Sequence, residues 1–215
     1  MRLHSFVCAA AMLAASSSSA LAGPISALYV FGDSLSDNGN FAAIAAAATV
    51  QAPRAPYDLQ SASNGNVAVE YLAQSLGLPL APGLGALPGN NYAVIGATTG
   101  PVNGIENVVE PIVEALFPNI QFPPTGLTTQ VGSFLLDLGL QPIDPNALFF
   151  VWSGANDLFL DATTDTAQQA AARVSGAVQT LYNRGARNFL IPNLPNLSLA
   201  PGGTTAQGTA SITFN

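Results

Sequence analysis

The chain has 215 residues, of which 49% are apolar and 8% charged, with twelve acidic side chains against five basic ones and a formal net charge of −7. A chain this acidic, with no lysine, would repel a polyanion, which argues against nucleic acid as a partner. The length and apolar share suit one domain with a sizeable core.

Residues 1–22 read as an export signal. Arg2 gives a positive start, Phe6 to Ala15 is a short apolar run, and Ala20-Leu21-Ala22 is a small-x-small cleavage site. The run is shorter than the about 20 residues needed to span a bilayer, so an uncleaved membrane anchor is the weaker alternative. Cleavage near Ala22 makes the protein secreted or periplasmic. It also removes His4, Cys8 and Arg2, the first two being the only histidine and cysteine. Residues 23–215 then hold four arginines against twelve carboxylates, which leaves −8. They contain no thiol nucleophile, no disulfide and no imidazole, which rules out most metal sites built from nitrogen or sulfur ligands. No later apolar stretch reaches transmembrane length, so no integral membrane segment is expected in the mature chain.

After the signal, Ser26 to Phe31 has the Val, Ile, Leu and aromatic content of a buried strand. The alanine-rich stretch Ala42 to Ala48 reads as a tightly packed helix. Gln51 to Gly65 is dense in loop residues. Asn64 can cap a helix in which Val67, Tyr71, Leu72 and Leu76 recur at helical spacing. Leu80 to Asn90 is a second loop, and Asn91 to Ile95 a second strand candidate. Ile105 to Pro124 shows no period and is left unassigned. Leu127, Val131, Phe134, Leu135 and Leu138 share one helical face, and Gly139 is a plausible stop. Ala147 to Trp152 is a third strand. Thr164 or Asp165 can cap a long helix with Ala167, Ala170, Ala171, Val174, Ala177 and Leu181 inward. Gly185 ends that helix, Arg187 to Ile191 is a fourth strand, and Ala206 to Asn215 opens another helix. This alternation indicates an α/β domain, a doubly wound parallel sheet with helices on both faces.

In open sheets of this kind, ligands bind outside the carboxyl ends of the strands. Three segments fall there. Phe31-Gly32-Asp33-Ser34-Leu35-Ser36-Asp37-Asn38-Gly39-Asn40 follows the first strand, and a serine on a tight strand-to-helix turn exposes its hydroxyl beside backbone N–H groups. Asn90 to Thr99 closes the second strand candidate, where Gly96 can present a bare N–H. Val151-Trp152-Ser153-Gly154-Ala155-Asn156-Asp157 ends the third, where the Asn156 amide can donate to an oxyanion. Taken singly, the first is equally an ordinary Gly-Asp-Ser turn, the second a glycine turn and the third an Asn-Asp turn. Their order and shared position at strand ends make the set distinctive.

That set resembles the GDSL lipases and esterases, also called SGNH hydrolases, from about Leu28 to Asn215. Gly32-Asp33-Ser34-Leu35 with Asp37, Gly39 and Asn40 is similar to the family's first block, Asn91 to Ala97 to its second, and Gly154-Ala155-Asn156-Asp157 to its third. Ser63 to Gly77 and Ile191-Pro192-Asn193-Leu194-Pro195 resemble further family stretches. The resemblance implies an SGNH-hydrolase-like, flavodoxin-like fold and hydrolysis of a small-molecule or lipid ester. It makes Ser34 the nucleophile and forms the oxyanion hole from the Ser34 and Gly96 N–H groups and the Asn156 side chain. It implies no cofactor and no metal.

One departure bears on activity. The family's last block is Asp-x-x-His, in which the histidine is the general base, and no histidine follows His4. The base is therefore unknown, and a serine hydroxyl is a poor nucleophile without one. Asp33, Asp37 and Asp157 are weak bases at ordinary carboxylate pKa values and are expected to fix loops instead. The chain is accordingly expected to be an incomplete hydrolase domain whose reading frame continues to an Asp-x-x-His. The alternative is a non-catalytic ester- or glycan-binding remnant of the same fold.

Overall fold

The computed structural model describes residues 24–47, 51–53, 56–84, 89–104 and 123–215. The expected export signal, and residues 105–122 of the unassigned stretch, lie outside the described residues.

The described elements in chain order are β1 (Leu28–Gly32), α1 (Asn40–Ala47), α2 (Ala68–Leu76), α3 (Leu127–Leu138), β2 (Leu148–Trp152), α4 (Ala155–Leu160), α5 (Thr164–Asn183), β3 (Asn188–Leu190), a 3-10 turn (Leu197–Leu199) and α6 (Thr205–Phe214). The three strands form a parallel sheet in the order β1-β2-β3, with Leu28 opposite Leu148 and Gly32 opposite Trp152. Side chains along a strand alternate between faces. Phe31, Phe149 and Val151 accordingly pack on one side against Leu127, Val131 and Phe134 of α3 and Val174, Ala177 and Leu181 of α5. Leu28, Val30 and Phe150 pack on the other against Val69 and Ala73 of α2. Both faces are covered, as a parallel sheet requires.

The segment expected as a second strand, Asn91 to Ile95, is not one. It runs parallel beside β1 and shares the bonds Tyr92 N–H to Val30 O (2.8 Å) and Val94 N–H to Gly32 O (3.1 Å), but pairs only as an isolated bridge at Asn91. The reason is local. The Asn91 N–H donates to Ala81 O and the Asn91 side-chain oxygen accepts from Ala93 N–H, which bends the chain out of a regular ladder. Counting this segment by position, the order across the sheet is second-first-third-fourth, the doubly wound arrangement of flavodoxin-like folds.

The other expected elements occur with shifted ends. Only the α2 start and face differ in kind. Val67, not Asn64, precedes the first helical residue, because the Glu70 carboxylate reaches back to the Val67 N–H at 2.7 Å. Val69 and Ala73 point inward while Tyr71 and Leu76 are exposed. The long helix α5 is capped by the Thr163 hydroxyl, one residue before the expected Thr164, and it buries the expected residues except Ala171, which is partly exposed. The helix expected from Ala206 is α6. It is capped by Thr204, and Ala210 belongs to a small core with Ala155, Leu158, Ala167, Leu194 and Leu197. No described helix is long and apolar enough to cross a membrane.

Candidate active site

The switch point of the sheet lies between β1 and β2. From β1 the chain crosses to the Asn91 segment on one side, and later returns to β2 on the other. Ser34 stands two residues past the end of β1, Asn156 four past the end of β2, and Gly96 two past Val94, which is tied to the last residue of β1. All three therefore lie at the carboxyl end of the sheet, at the crevice where such folds place ligands.

The Ser34 turn is held from three directions. The Asp33 carbonyl accepts the Ser36 and Asp37 N–H groups, each at 3.0 Å, and the Asp33 carboxylate accepts Leu35 N–H at 3.1 Å. Ser34 and Leu35 are thus the tip of a closed turn, with Ser34 half-buried. Below it, Gly32 meets β2 so closely that a Cβ there would lie 2.3 Å from the Trp152 carbonyl oxygen, so no larger residue fits. Gln130 of α3, fully buried, grips the same glycine. Its oxygen accepts Gly32 N–H and its amide donates to Gly32 O and Thr125 O, all at 2.8 Å.

Two carboxylates join the three segments. Asp37 accepts Gly39 and Asn40 N–H groups at 2.8 Å and Phe41 N–H at 3.1 Å, which caps α1, and it accepts Ile95 N–H at 2.9 Å. That last bond fastens the residue before Gly96 to the Ser34 loop. Asp157 accepts Thr99 N–H at 2.8 Å and the Thr99 hydroxyl at 2.7 Å, which fastens the Gly96 loop to α4. The Arg173 guanidinium stands 3.5 Å from Asp157. Asn156 donates one amide hydrogen to Ala97 O at 2.9 Å, so its side chain reaches the residue after Gly96. The second hydrogen of that amide is geometrically independent of this bond. Gly96 adopts φ +81°, a left-handed conformation open to glycine at no steric cost.

Burial dominates the electrostatics. It pushes Asp33 up to about 7 from an ordinary 3.8, against the lowering Leu35 hydrogen bond and with a raising contribution from the nearby Asp157 charge. Burial likewise pushes Asp37 up to about 6, against its four N–H donors. The hydrogen bonds of Asp33, Asp37 and Asp157 fix loops, as expected, but the ordinary carboxylate pKa expected of Asp33 and Asp37 is overturned, because burial raises both. No group of three metal-ligating side chains occurs among the described residues.

Ser34, Gly96 and Asn156 line neither of two clefts elsewhere on the described surface. The larger, about 930 Å³, runs along Ala42, Ala46, Leu80 and Pro82, and the other, about 500 Å³, along Val174, Val178, Phe189 and Ile191. We assign function from the chemistry of the candidate site rather than from cavity size. Gln130 escaped sequence reasoning, although it carried a signal. It is a polar residue on the apolar stripe of Leu127, Val131 and Phe134.

The family model of the GDSL-like lipases and acylhydrolases matches residues 28–213. The chain belongs to the GDSL-like lipase/acylhydrolase family. The GDSL chain is 34% identical over 217 residues to an uncharacterized protein of the trpE-trpG intergenic region of Pseudomonas putida, which covers 96% of this chain and 35% of that protein. It is 34% identical over 215 residues to esterase EstA of Pseudomonas aeruginosa, covering 90% of this chain and 32% of EstA. It is 28% identical over 225 residues to lipase 1 of Photorhabdus luminescens, covering 97% of this chain and 30% of that lipase. The chain spans about a third of the length of these relatives.

Proposed function

We propose that this chain carries the nucleophile and the oxyanion-binding half of an exported serine ester hydrolase. The observation that carries the reading is the meeting of the Ser34 turn, the Gly96 loop and the Asn156 helix at the switch point, cross-linked by Asp37 and Asp157. Similarity to EstA and lipase 1 adds the reaction class. Export is supported by Arg2, the apolar run and the Ala20-Leu21-Ala22 site.

In this reading the Ser34 Oγ attacks the acyl carbonyl carbon while a base takes its proton. The carbonyl oxygen becomes an oxyanion, held by the Ser34 and Gly96 N–H groups and by the Asn156 amide. The alcohol leaves with a proton, and water then releases the acid and restores Ser34. Residues 5–215 contain no imidazole. We assign the base to a part of the protein outside residues 1–215, in keeping with relatives about three times as long.

The test is hydrolysis of a short activated ester by the chain with and without added imidazole as an external base. Unaided turnover should stay within the roughly 10³–10⁴-fold over water that a site lacking one triad member retains. Above the hydrolysis that imidazole causes without protein, the stimulation should be lost on Ser34→Ala. An imidazole-stimulated rate identical in wild type and Ser34→Ala would overturn the reading and favour the non-catalytic binding remnant.

A further inference from the structure

The start of α3 is tied to both loops that carry the assigned oxyanion N–H groups. The first N–H groups of a helix, from its cap onward, have no partner inside the helix. Here the Gly96 loop supplies them from outside. Gly126 N–H donates to Pro101 O at 3.0 Å, Leu127 N–H to Thr98 O at 2.8 Å and Thr128 N–H to Gly100 O at 3.3 Å. The approach is so close that a Cβ on Gly126 would lie 2.0 Å from Gly100 O. One turn later, Gln130 holds Gly32 by both its N–H and its carbonyl.

Side chains close this arrangement into a ring. Asn103, on the Gly96 loop, donates from its amide to Ile95 O and to the Thr125 hydroxyl, both at 2.8 Å. The Thr125 carbonyl accepts the Gln130 amide at 2.8 Å, and Gln130 leads on to Gly32. From Gly32 the chain runs through Ser34 to Asp37, whose carboxylate accepts Ile95 N–H at 2.9 Å. The ring thus contains Ser34 and ends on the residue before Gly96. Asn103, Thr125, Gln130 and Asp37 are each at most 2% exposed.

Burial of apolar surface does not call for this network. Gln130 stands on the stripe of Leu127, Val131 and Phe134, where a leucine would leave no polar group to satisfy. A hydrogen bond adds only about 1 kcal/mol to stability, but it fixes distance and angle, which apolar contact does not. An oxyanion hole depends on that kind of placement, with its donors held about 3 Å from one point.

We infer that Asn103, Thr125 and Gln130 are positioning residues for the reaction, and that their ring sets the separation of the Ser34 and Gly96 N–H groups. The inference rests on the reading of those groups as oxyanion donors, and it gives α3 a part that the three sequence motifs do not show. Being buried, none of the three side chains touches the ester. They act through Gly32 and Ile95.

The experiment measures binding of phenylboronic acid by boron NMR, with amide NMR of the same samples. The Ser34 oxygen adds to the trigonal boron, an O–B bond forms, and the hydroxyl proton passes to the buffer. The product is an anionic tetrahedral boronate, made without any base from the protein. Thr125→Val keeps the shape of the side chain and removes the hydroxyl that Asn103 reaches, whereas Thr125→Ser keeps that hydroxyl. Thr125→Val should weaken boronate binding about tenfold and shift the Ser34 and Gly96 amide resonances. Thr125→Ser should restore both. Val174→Ala, in the core outside the ring, should lower stability in urea and leave both unchanged. Asn103→Ala removes the same bond from its other end and replaces Thr125→Val if that variant does not fold.

Thr125→Val binding as tightly as wild type overturns the inference. So does an equal loss in Val174→Ala, since that reports stability alone. Failure of the nucleophile reading looks different: wild type then gives no tetrahedral boron signal that Ser34→Ala abolishes. The free amide resonances still decide in that case. Shifts at both Ser34 and Gly96 in Thr125→Val support the ring as the link between the two loops, and unmoved resonances overturn it.

Discussion

Raising the pH from 4.5 to 7.5 should destabilise this chain, and the effect should trace to Asp33 and Asp37. Both carboxyls are pushed up by burial from 3.8, Asp33 to about 7 and Asp37 to about 6. Between those values the folded chain holds protons that the unfolded chain has released, so the stability they contribute is complete below about 3.8 and is lost as pH rises through 6 and 7. A tenfold difference in proton affinity is worth about 1.4 kcal/mol, which gives Asp33 up to about 4 kcal/mol and Asp37 up to about 3 kcal/mol. Asp58 and Asp144 have the opposite sign, because hydrogen bonds hold them below the ordinary value, but both are at the surface and affect only the acid limb. Urea denaturation at half-unit pH steps measures the profile, with a maximum expected near pH 4–5 and a fall of several kcal/mol by pH 7.5. Asp33→Asn preserves the oxygen that accepts Leu35 N–H and should remove the larger part of the slope. Stability that is flat or rising across this range, or a slope unchanged in Asp33→Asn, would refute the assignment.

Two substitutions test the fastening of the site. Asp37→Asn keeps an oxygen for Gly39 and Asn40 but turns an NH₂ toward the Phe41 and Ile95 N–H groups, which should cost about 2–4 kcal/mol in denaturant unfolding and shift the Ile95 and Gly96 amide resonances. Gln130→Leu strips Gly32 of a partner for both its N–H and its carbonyl, and should cost about 2–4 kcal/mol. A loss within the about 0.5 kcal/mol of an ordinary surface change would remove Gln130 from the account.

The sequence was most legible where one force dominates. β2 is nearly all apolar, and α3 and α5 carry apolar residues at helical spacing up to a Gly, so hydrophobic burial alone announces them. Legibility failed where side chains compete with the backbone ladder. Asn91 to Ile95 has the composition of a strand and the position of one, yet the Asn91 amide and its bonded neighbours hold it as a single bridge. At α2, Asn64 looked like the cap, but the Glu70 carboxylate reaching Val67 sets the start three residues later. The candidate site was legible as three motifs, because each has a residue type that chemistry needs. The bonds that bring them together were not, since Asp37 to Ile95 and Asp157 to Thr99 each span 58 positions. Gln130 reaches Gly32 across 98.

These long-range bonds explain how the Ser34, Gly96 and Asn156 segments are ordered together. Ser34, Gly96 and Asn156 each sit on a segment whose neighbours are gripped by a buried side chain, and every gripping residue lies between Asp33 and Asp157. None of those bonds needs a base. An oxyanion hole acts through donors that are fixed before charge develops, so its organisation is a property of the fold. Proton transfer from Ser34 is a separate requirement, met by any base held within reach of the hydroxyl. In the proposed reading, the described residues supply the oxyanion donors at the switch point, at the carboxyl ends of the paired strands β1 and β2.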